Sequence, residues 1–477
     1  MRISEHYNLN RTQPTLDFVD VDIHSDVRFF VDPSAIRRLP SEWGDECVSL
    51  IQSFFRTVLL AIRDGRDSEA RTLLATMHEP NETHLGYSRL KARGHALGPK
   101  SAHKVWDALR TSEAAKSGLL EDLEDTILMV EHISSDIVSD ITTNIIREPL
   151  INYTRDTCTY LGIPLDPDVA SGPLWDPNRL EWYTEFTQLP VAPTGRLLLV
   201  PKVIIRHRMD YDQDEYYRHY LLEHLREVEL DANSELVELL RDGRRRVTKK
   251  DLASKYGTGK TVIVRETRSH PEILAKYRAD KRNYIRPPLT HREIAAYQDT
   301  ADPDWTTLLN AVRSTPVGKS DASNYERAIE SLLTAIFYPS LANPQVQFPI
   351  HEGRKRVDIT YTNVASSGFF DWLAKHYSAA HIFVECKNYR SDIRNPELDQ
   401  IAGRFSPSRG QVSLVVCRSF DNKELFLTRC ADTAHDARGF IIVLDDDDLG
   451  VLVQERAESS GDIVGTLLME RFRRLVM

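Results

Sequence analysis

The stretch that decides the fold consists of two short runs in the last third of the chain, RVDITY at residues 356–361 and IFVECKN at residues 382–388. Successive side chains of a β-strand point to opposite faces, so the second run places Glu385 and Lys387 on one face. The first run carries Asp358 among apolar neighbours. Because burying ionised groups is costly unless they are paired or bind a metal, the two runs predict a buried functional cluster.

Helix and strand signals alternate on both sides of these runs. Apolar spacing predicts helices at residues 324–337 and 396–405, and strands at residues 411–418 and 439–444. Such alternation is typical of an α/β domain. The sequence therefore predicts a C-terminal α/β domain with a mixed sheet over residues 321–477.

Phosphodiester hydrolysis would give the polar cluster a purpose. Asp358 and Glu385 offer hard oxygen ligands for Mg²⁺ or Mn²⁺, and the backbone carbonyl of Cys386 offers a third. Lys387 would orient the attacking water or neutralise charge on the phosphate in the transition state. The structural alternative is a salt bridge between Glu385 and Lys387 on an exposed strand, which would contribute little to the free energy of folding.

Asp358 followed by the tripeptide ECK at residues 385–387 resembles the motif of the PD-(D/E)XK nuclease superfamily, the fold of many restriction endonucleases. The resemblance covers about residues 321–450 and departs from the motif at one point, since Val357 rather than proline precedes Asp358. It implies a restriction-endonuclease-like fold, Mg²⁺-dependent endonuclease activity and a DNA substrate, with duplex DNA favoured.

Two further features implied by the resemblance lie on helices. Families of this type often carry a glutamate on the helix before the aspartate strand, and Glu326 is the favoured candidate here, with Glu330 second. Enzymes of the Mrr type tend to carry a glutamine on the helix after the lysine. The resemblance therefore implies catalytic roles for Glu326 and Gln400.

Basic residues in two places are candidates for binding nucleic acid. Near the polar cluster they are Arg354, Lys355 and Arg404. Residues 241–282 hold 14 Lys or Arg against 5 Asp or Glu, although the whole chain carries a net charge of -10. The candidate phosphate contacts in that basic segment are Arg244, Arg245, Arg246, Lys249 and Lys250.

The basic segment predicts three short helices at residues 248–257, 258–268 and 271–281. This spacing is compatible with a helix-turn-helix that contacts DNA, and a plain connector of basic helices is the alternative. The run GTGKT at residues 257–261 does not complete a phosphate-binding loop, because Ser254 stands where the first glycine is required.

The preceding part of the chain predicts a mainly helical region with short β elements. Residues 18–23 and 27–31 indicate a β-hairpin, and apolar spacing predicts helices over residues 48–62 and 119–146. Prolines interrupt the pattern over residues 149–193, which places a first boundary there. The predicted regions are residues 1–160, residues 161–320, which include the basic segment and a linker, and residues 321–477.

Composition limits the class of protein. With 477 residues, 41% of them hydrophobic and 28% charged, the chain is typical of a soluble multidomain protein. No apolar run is long enough to span a membrane, and the first ten residues are polar, so a cytoplasmic location is expected. The five scattered cysteines suggest neither a disulfide framework nor a cysteine-bound zinc site.

The sequence thus favours a Mg²⁺-dependent DNA endonuclease, and analogy suggests bacterial defence against foreign DNA. The N-terminal region is expected to regulate, sense or oligomerise, and duplex cleavage by one site per chain favours a homodimer or larger assembly. An unseen regulatory partner is compatible with this view. The alternatives are a non-catalytic nucleic-acid-binding or assembly protein on a nuclease scaffold, or an RNase or repair nuclease.

Overall fold

The computed structural model describes residues 1–86, 99–284, 286–350, 355–389, 395–458 and 465–477. Buried apolar side chains form two main clusters. The N-terminal core extends from Ile3 to Ile294 and also takes in Tyr338 and Ala342. The C-terminal core extends from Val312 to Leu475. The boundary near residue 160 therefore does not separate two cores.

The N-terminal region is mainly helical, as predicted. Its helices are α1 Ile3–His6, α2 Pro33–Arg37, α3 Glu42–Arg63, α4 Asp67–Ala75, α5 Pro99–Thr111, α6 Glu113–Ser117, α7 Asp125–Met129, α8 Ser135–Ile145 and α9 Arg147–Leu161. The predicted helix over residues 48–62 is confirmed as α3, where the Ser41 hydroxyl accepts a hydrogen bond from the Gly44 N–H at the first turn. The predicted helix over residues 119–146 is divided into α7 and α8.

Short strands accompany these helices and pair in twos. They are β1 Phe30–Val31, β2 Asp166–Ala170, β3 Leu174–Asp176, β4 Glu181–Tyr183, β5 Phe186–Leu189, β6 Val191–Ala192, β7 Gly195–Arg196 and β8 Ile205–Arg206. The pairs are β1 with β8, β2 with β5, β3 with β4, and β6 with β7.

The predicted N-terminal β-hairpin is wrong. Residues 18–23 do not pair with residues 27–31; instead β1 pairs with β8, and Phe18 forms an isolated bridge with Pro201. The apolar segment around residues 197–206 supplies these partners from far along the chain. Burial of that segment in the N-terminal core outweighs the local turn signal.

The middle of the chain contains a second helical group. Its elements are α10 Gln213–Glu215, a π-helical stretch Tyr216–Leu221, α11 Leu222–Asp231, β9 Glu238–Leu239, β10 Arg245–Arg246, α12 Lys249–Tyr256, α13 Lys260–Ser269, α14 Pro271–Asn283, α15 His291–Gln298 and α16 Trp305–Ser314. The three short basic helices are confirmed as α12, α13 and α14.

The C-terminal domain alternates helices and strands. Its elements are α17 Ala322–Phe337, β11 Leu341–Ile350, β12 Lys355–Asn363, α18 Gly368–His376, β13 His381–Lys387, α19 Asn395–Ala402, β14 Val412–Cys417, α20 Lys423–His435, β15 Phe440–Leu444, α21 Asp446–Glu458 and α22 Thr466–Val476. The predicted helices and strands of this domain are confirmed. Strand β11 was not predicted, because Pro344 and Pro349 interrupt its pattern.

The five strands form one mixed sheet in chain order, which confirms the predicted sheet type. The pairs β11–β12 and β12–β13 are antiparallel, and the pairs β13–β14 and β14–β15 are parallel. Strand β14 is buried along its whole length, as a central parallel strand requires. Helix α17 packs against β11 and β13. The direction of pairing thus changes at β13, the strand that carries Glu385 and Lys387.

No helix within the described ranges is long and apolar enough to cross a membrane.

Candidate active site

The candidate site lies at the carboxyl end of β13. Because Glu385 and Lys387 are two residues apart on a strand, they share a face, and Lys387 Nζ lies 3.3 Å from Glu385 Oε2. The Glu385 side chain is 1% exposed and the Lys387 side chain 13%. The pair is therefore buried, unlike a salt bridge on an exposed strand.

Asp358 reaches the same place from the neighbouring antiparallel strand. Ile359 of β12 pairs with Val384 of β13 in an antiparallel register. Asp358, the residue before Ile359, therefore lies near Glu385, the residue after Val384. The Asp358 Oδ2 atom accepts a hydrogen bond of 2.8 Å from the backbone N–H of Cys386. The register of two strands thus brings together the three residues on which the sequence prediction depended.

Arg404 is a further member of the cluster. It follows α19 and is ion-paired through Nη1 with Glu385 Oε1, and its side chain is 8% exposed. Burial lowers the pKa of the Arg404 guanidinium, and the nearby Asp358 carboxylate opposes that shift. Arg404 was predicted to contact phosphate in a groove around the site, and its side chain lies inside the cluster.

The contacts of α17 distinguish the two candidate glutamates. Glu326 is half-buried, and burial raises the pKa of its carboxyl group; two hydrogen bonds from Gln347 Nε2 oppose the shift, and nearby Asp358 adds to it. Glu330 is 1% exposed and instead pairs with Arg11 of the N-terminal region at 2.5 Å. Glu326 is therefore the helix carboxylate that interacts electrostatically with the cluster.

The donor set suits a hard divalent cation. Asp358, Glu385 and Glu326 supply carboxylate oxygens, which Mg²⁺ and Mn²⁺ prefer. Both oxygens of Glu385 already contact positive groups, Oε2 with Lys387 and Oε1 with Arg404. A metal ion at Glu385 Oε1 would compete with the Arg404 guanidinium for that oxygen. The carbonyl of Cys386 as a third ligand stays a prediction.

The remaining predicted site residues of this domain are Gln400, Arg354 and Lys355. Gln400 is exposed on α19. Arg354 falls outside the described residues, and Lys355 begins β12 with a side chain that is not described. Their predicted roles stay predictions.

Three basic side chains of the segment, those of Lys260, Arg278 and Lys281, are buried. Lys260 is buried and donates to the backbone carbonyls of Val130 and Ile133, a position incompatible with a phosphate-binding lysine. The segment also forms ion pairs with acidic residues, among them Arg278 with Asp125, Lys281 with Glu215 and Lys255 with Glu229. These contacts favour the connector interpretation for α13 and α14.

The five candidate phosphate contacts in the segment lie at or beside β10 and at the start of α12. Arg244, Arg245, Arg246 and Lys250 are exposed. Arg244 pairs with Asp242, and Lys249 pairs with Glu223. A basic surface around β10 therefore remains available.

Gln347 was not expected in the cluster, because it lies on β11, which the prolines concealed. Arg404 was expected near the cluster as a phosphate contact, but its ion pair with Glu385 was not. Alternation within β11, had that strand been recognised, would have been the signal for Gln347.

Comparison with known proteins adds a match in the N-terminal half. A family model described as a domain of unknown function, DUF8370, matches residues 8–212. No curated protein matches the chain, and no solved structure does. The matched segment ends before α11 and does not include the candidate site.

Proposed function

We propose that this protein is a metal-dependent endonuclease that cleaves DNA, with its active site at the carboxyl end of β13. The observation that carries the proposal is the meeting of Asp358, Glu385 and Lys387 at one point of a mixed sheet, with an acidic helix residue, Glu326, nearby. Ligands of open α/β sheets bind outside the carboxyl ends of the strands, where this cluster lies.

Each side chain has a role in this proposal. Asp358, held by the Cys386 N–H, and Glu385 would hold Mg²⁺, with Glu326 close by. When bound, Mg²⁺ supplies Lewis-acid polarisation of the phosphate and lowers the pKa of a bound water. Lys387 is slightly exposed and places its ammonium beside the negative charge that develops on the phosphate.

Arg404 also suits a phosphate substrate. Its Nε atom is buried and has no hydrogen-bond partner among the described residues. An arginine fork matches phosphate oxygens, so a bound phosphodiester would give the guanidinium an anionic partner besides Glu385. The role in bacterial defence is an analogy with restriction-type enzymes and does not follow from the site.

One observation favours the non-catalytic alternative. Lys387 and Arg404 place positive charge beside both oxygens of Glu385, so the charge of the carboxylate is balanced without any metal, although Oε1 has no hydrogen-bond partner among the described residues. In that case the fold would act as a scaffold for nucleic-acid binding or assembly.

Incubation of the purified protein with different nucleic acids tests the proposal. Supercoiled plasmid, linear duplex, single-stranded DNA and RNA would each be incubated with Mg²⁺, Mn²⁺ or EDTA. We expect plasmid and duplex cleavage with either metal and none with EDTA. Cleavage of RNA alone would select the RNase alternative, and binding without cleavage of any substrate would select the scaffold.

Gln400→Ala is expected to slow cleavage by no more than about tenfold, the lower end of the effect of residues that orient others. The reason is that its side chain is exposed on α19. Single-turnover rates at saturating Mg²⁺ measure the change. A loss as large as that of a metal ligand would give Gln400 a direct catalytic role.

Replacing Arg244, Arg245, Arg246 and Lys250 with alanine is expected to weaken duplex binding. Each lost phosphate contact should reduce the slope of log affinity against log salt by about 0.9. Fluorescence anisotropy in Ca²⁺ or EDTA, over a range of salt concentrations, measures the slope. Lys375→Ala with Arg438→Ala, both exposed in the C-terminal domain, serves as the control. An unchanged slope would make the surface around β10 part of a connector.

A further inference from the structure

Two histidines and a glutamate converge in the middle of the chain, far from the candidate active site in sequence. His224 lies on α11, His270 immediately precedes α14, and Glu272 lies in the first turn of α14. Their ligand atoms all lie within 4.8 Å of one another. The proposed nuclease activity does not use these residues, and the family match ends before them.

The distances between the three ligand atoms suit one tetrahedral ion. His224 Nε2 lies 3.1 Å from His270 Nδ1, which lies 3.4 Å from Glu272 Oε1, and His224 Nε2 lies 3.8 Å from the same oxygen. Zinc ligands at 2.0–2.1 Å from a tetrahedral centre are separated from each other by about 3.3–3.4 Å. The three atoms therefore lie close to three corners of a zinc coordination tetrahedron.

The ring geometry also agrees with shared coordination. The two imidazole rings are tilted by 56° with centroids 4.5 Å apart, and one nitrogen of each ring faces the other. Without a metal, one of these nitrogens must carry a proton and donate a hydrogen bond to the other. With a metal, both neutral rings would direct a lone pair toward the ion, and the Glu272 carboxylate would supply negative charge.

Accessibility allows an ion to enter. The side chains of His224 and His270 are 29% and 30% exposed, and that of Glu272 is 62% exposed. Two partly buried rings and one exposed carboxylate thus make up the cluster. Three protein ligands leave the fourth position of a tetrahedral ion to water.

We propose that His224, His270 and Glu272 bind Zn²⁺, with water as the fourth ligand. Imidazole nitrogens select zinc over the hard cation Mg²⁺, which prefers an all-oxygen environment. The ion joins α11 to the start of α14. Because the ligands converge only in the folded chain, zinc binding stabilises the packing of these two helices.

A zinc titration of the full chain tests this proposal. The candidate active site contains carboxylates that could also bind zinc, so every protein in the experiment carries Asp358→Ala. Competition with a chromophoric chelator measures zinc affinity and stoichiometry. We expect one zinc per chain, and a loss of affinity of at least about tenfold in His224→Ala or His270→Ala. His435→Ala, which removes an exposed histidine on α20, is the control and should leave the affinity unchanged.

Two additional measurements keep the test independent of folding defects. Glu272→Gln changes an exposed side chain without changing its size, and it should also weaken zinc binding while the circular dichroism spectrum stays the same. Co²⁺ should give the visible absorption of a four-coordinate site, and that signal should disappear in His270→Ala. If the Asp358→Ala protein binds no zinc, or if the three ligand variants bind zinc as tightly as the Asp358→Ala protein does, the proposal is overturned.

Discussion

Lys387→Ala is expected to slow Mg²⁺-dependent DNA cleavage by about 10²- to 10³-fold, the usual effect of removing one group that stabilises transition-state charge. Lys387 is the only member of the cluster that combines a positive charge with partial access to solvent among the described residues, since Arg404 is buried against Glu385. The rate of plasmid cleavage under single-turnover conditions measures the loss.

The two strand carboxylates should give larger losses. Asp358→Asn and Glu385→Gln keep the size of each side chain, and the asparagine oxygen can still accept the hydrogen bond from Cys386. Cleavage should fall below detection, because an amide is a far weaker metal ligand than a carboxylate. Alanine is a poorer choice at residue 385, because it would leave the Arg404 guanidinium buried without its carboxylate.

Lys375→Ala is the matched control for Lys387→Ala. Lys375 belongs to the same domain and also contacts an acidic residue, Asp371, but its side chain is 65% exposed. It should retain full activity and affinity. Full activity in Glu385→Gln would contradict the assignment of the active site, whatever the result for Lys387.

The C-terminal domain was predictable because its local sequence patterns indicate the same strands that form the sheet. Strands β13, β14 and β15 are nearly continuous apolar runs, as parallel strands buried on both faces are, and Glu385 and Lys387 stand out against such a run. The register between β12 and β13 ends at the pair Ile359 and Val384, and Asp358 and Glu385 are the next residue on each strand. A single sequence displays such apolar runs directly, and alternation along β13 then puts Glu385 and Lys387 on one face.

The N-terminal region was harder to predict because its contacts join distant residues. Strand β1 pairs with β8 across about 175 residues, and a local turn signal could not reveal that partner. The charge balance of the basic segment did not predict how much of its positive charge is exposed, for a related reason. Arg278 lies close to Asp125 only after α14 packs near α7, so the count of charges in sequence overstated the exposed positive surface.

The N-terminal region and the C-terminal domain share a buried polar interface. Arg11 donates to Glu330 of α17, and the Tyr160 hydroxyl donates to the same carboxylate oxygen at 2.7 Å. Nearby, Lys202 Nζ lies 4.3 Å from the centre of the Tyr338 ring. Tyr338 itself belongs to the N-terminal core. A fragment beginning near residue 321 would therefore expose surfaces that the full chain buries.

This interface is the contact through which the N-terminal region would act on the proposed active site. Glu330 and Glu326 lie one turn apart on α17, so the same helix contacts Arg11 and faces Asp358. Under the proposed function, a shift of α17 caused by the N-terminal region would move Glu326 relative to Asp358 and Glu385. The contact would then couple the two parts of the chain through α17, and measurements of stability and cleavage on Arg11→Ala test this coupling.

Arg11→Ala is expected to lower the free energy of unfolding by about 3 kcal/mol, because it leaves the buried Glu330 carboxylate without its cationic partner. The value is at the lower end of the usual range, since Tyr160 and Thr334 still donate hydrogen bonds to Glu330. Urea denaturation of the full chain measures the change. Cleavage should also slow, because α17 would no longer hold Glu326 in place.

A double-mutant cycle distinguishes the ion pair from a general packing effect. Glu330→Gln removes the buried charge, so Arg11→Ala combined with Glu330→Gln should be less destabilised than Arg11→Ala alone. Arg438→Ala, which breaks an exposed pair with Asp399, is the control and should change stability little. If the Arg11 and Glu330 effects simply add, Glu330 is not held by this pair. In that case the link between the N-terminal region and α17 would have to depend on the apolar contacts around Tyr338.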